Sequence, residues 1–234
     1  MVYIIDHIPR STPHNRRPGL LLKPETITIH NTANPSSSAR NERNWLTNPS
    51  NDRTASFHIV VDEREVIECI PLSEVAWAGG DGTNGPGNRT SIHIEICESG
   101  DYAKTLDNAA QLVAKMLKER GWGVDRLRRH FDWSGKICPR LMYDNGRWTG
   151  WTAFNNMVRD KLRTVKGDDQ IMEELKKQVA ELKKNVDELT KKIPAPDWFV
   201  DEFGSADLNG LINDPKFTME GWRTLTVALR ALRY

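Results

Sequence analysis

The feature that most constrains the fold is the alternation of short β-branched runs with longer amphipathic stretches before residue 165. Thr26–His30, Ser56–Val61, Glu65–Ile70 and Ser91–Cys97 are short, rich in Ile, Val and Thr, and partly alternate in polarity, as half-buried strands do. In Ser91–Cys97 the alternation sets Ile92, Ile94 and Ile96 on one face and His93, Glu95 and Cys97 on the other. Asp62 and Glu63 predict a tight hairpin between the second and third runs. In Leu106–Arg120 the apolar residues recur at steps of three and four, which predicts a helix, and Gly121 is placed to stop it. Trp151–Val165 reads as a second helix. The expected fold is α/β, a mixed central β-sheet flanked by helices.

The texture then changes. Residues 168–193 contain no Gly and are dominated by Glu, Lys, Leu and Val. Met172, Val179, Val186 and Ile193 fall at one heptad position, and Leu175, Leu182 and Leu189 at the other. Mostly β-branched residues at a with Leu at d favour a parallel two-stranded coil. Three heptads are marginal alone. A homodimer through 172–193 and a helical linker packed on its own protein both remain open. Beyond it, Trp198, Phe199, Leu208, Leu211, Ile212 and Leu225 onward, broken at Asp214-Pro215 and Gly221, suggest two short helices around a small core. The expected organisation is a domain over 1–166, a coiled-coil-like helical linker over 167–193, and a small helical C-terminal module over 194–234.

Composition excludes several classes. Of 234 residues, 38% are hydrophobic and 28% charged, enough for one full core and an appendage. No apolar run approaches the ~20 residues of a membrane span. The net charge of +1 argues against a nucleic-acid partner held by a basic surface. Asp6 and His7 interrupt what would be the apolar part of a signal peptide, so synthesis in the cytoplasm is expected, with any action outside following release by another agent. The three cysteines, Cys69, Cys97 and Cys138, do not make a disulfide framework. The loop Gly79–Gly87 lacks the Lys-Ser/Thr ending of a phosphate loop and reads as a flexible rim to a cleft.

Three residues stand out as candidate metal ligands. His30 ends a strand, His130 follows Leu127-Arg128-Arg129, and Cys138 lies eight residues later. Two imidazoles and a thiolate are three protein ligands, and a catalytic zinc site leaves its fourth position open. Taken singly, each residue has a plainer explanation, as a structural histidine or a buried thiol.

The order of the flanking motifs separates these explanations. His30-Asn31-Thr32-Ala33, Ser56-Phe57-His58-Ile59-Val60-Val61-Asp62, Ala76-Trp77, Ser91-Ile92-His93-Ile94-Glu95-Ile96-Cys97, and His130-Phe131-Asp132 before Lys136-Ile137-Cys138-Pro139 occur in that sequence. Over residues ~20 to ~165 the chain resembles the zinc-dependent N-acetylmuramoyl-L-alanine amidases of type 2, relatives of phage endolysins and peptidoglycan recognition proteins. The resemblance implies one zinc ion on His30, His130 and Cys138, and catalytic roles for Glu95 and Lys136. It implies bacterial cell-wall peptidoglycan as the partner, hydrolysis of the bond between N-acetylmuramic acid and L-alanine, and a phage endolysin released by a holin-type route. A C-terminal wall-binding part would fit the tail, where dimerisation is the other option.

The chemistry is self-consistent. Zinc polarises the amide carbonyl and lowers the pKa of water. A carboxylate can move the water's proton to the leaving amine, and a lysine can stabilise the oxyanion. Asn31, His58, Trp77 and Arg89 are substrate-side candidates, although His58 could be structural and Trp77 and Arg89 could simply pack. Two positions depart from the pattern: Phe57, where some relatives carry Tyr, and Ala78, where His often follows the Trp. The rival functions are a non-catalytic peptidoglycan-binding module and a zinc peptidase cutting within the stem peptide.

Overall fold

The structure is a computed structural model that describes residues 2–232, without the side chains of 165–170. Met1, Arg233 and Tyr234, the ends of the first and last expected segments, lie outside the described residues. The chain divides into two compact units, Met1–Asp168 and Asp169–Tyr234.

The first unit is built on a six-stranded sheet. Its strands are β1 (Val2–Ile5), β2 (Thr26–Asn31), β3 (Ile59–Val61), β4 (Glu65–Glu68), β5 (Ser91–Ile96) and β6 (Leu127–Arg129), in the order β1-β4-β3-β5-β2-β6. Only β3–β4 is antiparallel. The sheet is mixed, as the sequence predicts. Asp62 closes the hairpin, its carboxylate accepting the backbone N–H groups of Arg64 and Glu65 at 2.8 and 2.9 Å. Its other oxygen accepts from Ala39 N–H at 2.9 Å, at the start of α1 (Ala39–Trp45).

Every residue of β2 is buried, so this strand is covered on both faces. Ile27 and Ile29 join Ile92, Ile94 and Ile96 in a core under α3 (Tyr102–Glu119), with Phe154, Val158 and Leu162 of α5 (Thr149–Thr190) in the same cluster. On the opposite face Val60, Ile67, Phe57, Cys69 and Cys97 pack with Ala39 and Leu46 near α1. That face also carries the polar side chains of β2 and β5, because the register pairs Thr28 with His93 and His30 with Glu95.

Several elements differ from the sequence reading. Ser56–His58 precede β3, with Ser56 N–H donating to the Trp77 carbonyl and His58 N–H to the His93 carbonyl. Cys69 and Ile70 leave β4 because both their N–H groups turn to the His58 carbonyl. Helix α3 starts at Tyr102 because Asp101 caps it, accepting from Lys104 N–H at 3.0 Å. Strand β6 and the short helices α2 (Pro86–Thr90) and α4 (Phe131–Ser134) form where no periodic apolar signal stands.

In the second unit, α5 ends at Thr190. Ile193, expected in the heptad seam, belongs instead to β7 (Ile193–Pro194), which pairs with β8 (Lys216–Phe217). The remaining seam, Met172 to Leu189, stands 44–78% exposed. Helices α6 (Asp197–Phe203) and α7 (Met219–Ala231) enclose an aromatic core in which Trp222 meets Phe199 and Phe217, with ring centroids 4.6 and 4.8 Å apart. Trp222 Nε1 donates to the Ile193 carbonyl at 3.1 Å, and the Arg230–Glu202 pair joins α7 to α6. The two helices agree with the sequence reading; the β-ribbon, two residues per strand, has no periodic signal in the sequence.

Candidate metal centre and active site

The reactive side chains gather at the carboxyl ends of three adjacent parallel strands, where α/β sheets build their sites. His30 sits near the end of β2, Glu95 near the end of β5, and His130 directly after β6. Cys138 arrives on the loop after α4. That loop is tied back by Phe131 N–H to the Cys138 carbonyl at 3.1 Å, while Trp133 Nε1 donates to Thr28 Oγ1 at 2.8 Å and fastens α4 to β2. Asp132 fixes the turn at His130, accepting from the backbone N–H of Arg129 at 2.7 Å and from its guanidinium.

His30, His130 and Cys138 are all buried, and their ligand atoms lie within 4.8 Å of one another. His30 Nδ1 is 3.1 Å from His130 Nδ1 and 3.8 Å from Cys138 Sγ. Tetrahedral zinc with bonds of about 2.0–2.3 Å would hold such atoms roughly 3.3–3.6 Å apart. The protonation pattern strengthens the fit. His93 Nε2 faces the Gly87 carbonyl at 3.0 Å, and a carbonyl only accepts, so that nitrogen carries the proton. His93 Nδ1 is then an acceptor, and His30 Nε2 donates to it at 3.1 Å. His130 turns Nδ1 to His30 and Nε2 to the Gly79-Gly80 backbone, where Gly79 is its acceptor. Neutral rings arranged in this way turn two bare Nδ1 lone pairs toward each other, an arrangement that a cation relieves.

Electrostatics agree with neutral imidazoles. Burial, then neighbouring His93 and His130, holds His30 well below the usual histidine range. Burial, then Lys136, brings His130 down to about 4. Burial and Glu95 push the Cys138 thiol up to about 12, a preference that a coordinated cation reverses. Glu95 Oε1 lies 3.9 Å from His30 Nδ1, and its Oε2 is buried with no hydrogen-bond partner among the described residues. Burial, followed by the Glu42 carboxylate, pushes Glu95 up to about 8, with Lys136 pulling the other way.

The triad opens into a cleft of about 1210 Å³ that runs past α1 to Arg53. Glu95, Lys136, Asn31, Trp77, Phe57 and Ala78 line it; His58 and Arg89 do not. Asn31 is tied down: its Oδ1 accepts from Leu141 N–H at 3.0 Å and its Nδ2 donates to Tyr102 Oη at 3.2 Å. His58 is fully buried, with Nε2 donating to the Glu74 carbonyl at 2.8 Å and Nδ1 accepting from His93 N–H at 2.9 Å. The half-buried Arg89 sits in α2. Trp77 Nε1 donates to the Asn15 carbonyl at 2.8 Å, leaving its ring on the cleft wall.

Two participants lie outside the candidates that the sequence named. His93 shares the β5 face with Glu95, but its contact with His30 depends on the β2–β5 register. Arg16, fully buried, donates to the carbonyls of Leu46, Asn51 and Arg53 and so holds the far wall of the cleft.

Residues 21–141 match the profile of the N-acetylmuramoyl-L-alanine amidase family. The chain belongs to this family. Among curated amidases, XlyB of Bacillus subtilis is 52% identical over 128 residues, covering 53% of this chain and 39% of that protein. CwlA of the same organism is 50% identical over 131 residues, covering 54% and 47%. The chain thus spans about half the length of the curated amidases it matches. The solved catalytic domain of XlyA superposes with a TM-score of 0.61 at 40% identity, over 68% of this chain and 99% of that one. The amidase match takes in His30, His130 and Cys138 together with Glu95 and Lys136.

Proposed function

We propose that the chain hydrolyses the amide between the lactyl group of N-acetylmuramic acid and L-alanine in bacterial peptidoglycan, using one zinc ion on His30, His130 and Cys138, as a phage endolysin. The observation that carries this reading is the convergence of two bare imidazole lone pairs and a thiol beside a carboxyl with an unpartnered oxygen, at the head of a long cleft. His30, His130 and Cys138 would hold the zinc ion, which would supply polarisation of the carbonyl and a water acidic enough to react near neutral pH. Glu95 accepts the proton of the attacking water and passes it to the leaving nitrogen as the C–N bond breaks. Lys136, exposed on the loop that carries Cys138, steadies the negative oxygen that develops on the former carbonyl.

For the second unit we propose wall retention by the α6–α7 module, with two copies paired in parallel along Met172–Leu189. The exposed seam and its β-branched/Leu alternation support the pairing.

Digestion of purified cell wall with and without a chelator tests the chemistry. The expected products are a free lactyl carboxylate and a free L-alanine amine, with none formed under chelation. A new amine within the stem peptide would establish a peptidase instead, and wall binding without products a non-catalytic module.

A further inference from the structure

Both metal-facing histidines are backed by the same loop. Behind His130, the Gly79 backbone is the acceptor; with Nδ1 turned to His30, the ring nitrogen on the loop's side is Nε2, 3.0 Å from where a Cβ on Gly80 would stand. Behind His30, the acceptor is His93, which in turn donates to the Gly87 carbonyl at 3.0 Å. The two end points are eight residues apart in a Gly-rich segment that composition alone would leave loose. Two side chains hold it. Asn88, buried, accepts from the N–H groups of Ala78 and Gly79 at 2.9 and 2.7 Å and donates to the Gly82 carbonyl at 3.0 Å. Asp81 accepts from Gly87 N–H at 2.6 Å and Asn88 N–H at 3.3 Å.

Two of the loop's glycines also stand close against the site. Gly80 has φ of +70°, and a Cβ there would stand 3.0 Å from His130 Nε2. A Cβ on Gly87 would stand 2.7 Å from the Trp133 ring. Asn88 therefore fixes where two carbonyls point, and the carbonyls fix which nitrogen of each imidazole is bare.

We propose that the Gly79–Asn88 loop, with Asn88 as its staple and His93 as its relay, is a positioning device that sets the tautomer and ring orientation of both histidine ligands at once. Neither Asn88 nor His93 belongs to the ligand triad. The proposal rests on the metal reading of the triad. Groups behind metal ligands are typically worth on the order of 10–100-fold in metal affinity.

The test measures zinc affinity of the full chain by competition with a chromophoric chelator, alongside melting of the metal-free protein. Asn88→Ala and His93→Leu should each weaken zinc by roughly 10–100-fold. Asn88→Asp, which keeps the two bonds accepted from Ala78 and Gly79 but loses the donor to Gly82, should fall between. Thr83→Ala, on the exposed tip of the same loop, should match wild type. Variants that fold and bind zinc with unchanged affinity would overturn the proposal while leaving the triad intact. Failure of wild type to bind stoichiometric zinc would instead sink the metal reading. Long-range ¹H–¹⁵N spectra of the metal-free wild type supply a readout independent of any variant's folding. His30 and His130 should both carry the proton on Nε2, and a proton on Nδ1 of either ring would refute the assignment.

Discussion

Glu95 shows how its surroundings bear on the task proposed for it. It lies opposite His30 across the β2–β5 register, with one oxygen toward the ligands and the other buried without a partner. Glu95→Gln keeps the shape and removes the proton acceptor. Zinc content should stay at the wild-type level while turnover on soluble muropeptide falls on the order of 10²–10⁴-fold. Turnover within a few-fold of wild type would show that another group moves the proton. Glu74 makes a different prediction at this scale. Hydrogen bonds from Arg17, then Arg10, hold its carboxyl down to about 2 from an ordinary value of 4.5. A depressed folded value means the contribution is whole above pH 4.5 and vanishes as pH falls through about 2. Its size is about 3 kcal/mol. In urea titrations with chelator present, Glu74→Gln should be less stable than wild type by about that amount at pH 7. The gap should shrink steadily from pH 4.5 to pH 2.5, and a constant gap would contradict the assignment.

At the scale of elements, legibility followed local signal. Strands β2 and β5 could be read from their β-branched runs, and most of α3 from its 3.6-residue period. Strand β6 could not, because Leu-Arg-Arg becomes a strand only by pairing with Ile27–Ile29. Strand β1 likewise owes its identity to its register with Glu65–Glu68. Ile193 kept the heptad spacing, yet Pro194 and the pairing with Phe217 took it into a ribbon. The three ligand candidates could be named from residue type and motif order. What stands behind them was not legible: the His93 relay needs the strand register, and Asn88 sits within a loop whose glycines suggest looseness. Residues whose partners lie 63 to 108 positions away leave no local trace of those partners.

For the whole molecule, the question is what the second unit adds. The first unit holds the complete sheet, both ligand-bearing segments and the cleft. A chain ending near Lys166 should fold, bind zinc and cleave soluble muropeptides, but lose activity on intact walls, because tethering and pairing raise local enzyme concentration. The full chain should sediment as a dimer. Leu182→Asp with Val186→Asp should make it monomeric, and reduce wall retention while sparing activity on soluble substrate. Equal activity of the short and full chains on intact walls, with a monomeric full chain, would remove both roles assigned to Asp169–Tyr234.

The placement of the three ligands has a mechanical side. His30 belongs to a strand buried on both faces, whereas His130 and Cys138 follow an edge strand, β6, which meets its neighbour through three register pairs. A cation shared among them would act as a clasp across 108 residues of chain, locking the sheet's margin to its middle. Releasing the ion and peeling back that margin then become two descriptions of one event. Where metal is scarce, the fold would come undone first at the very edge where the site is built.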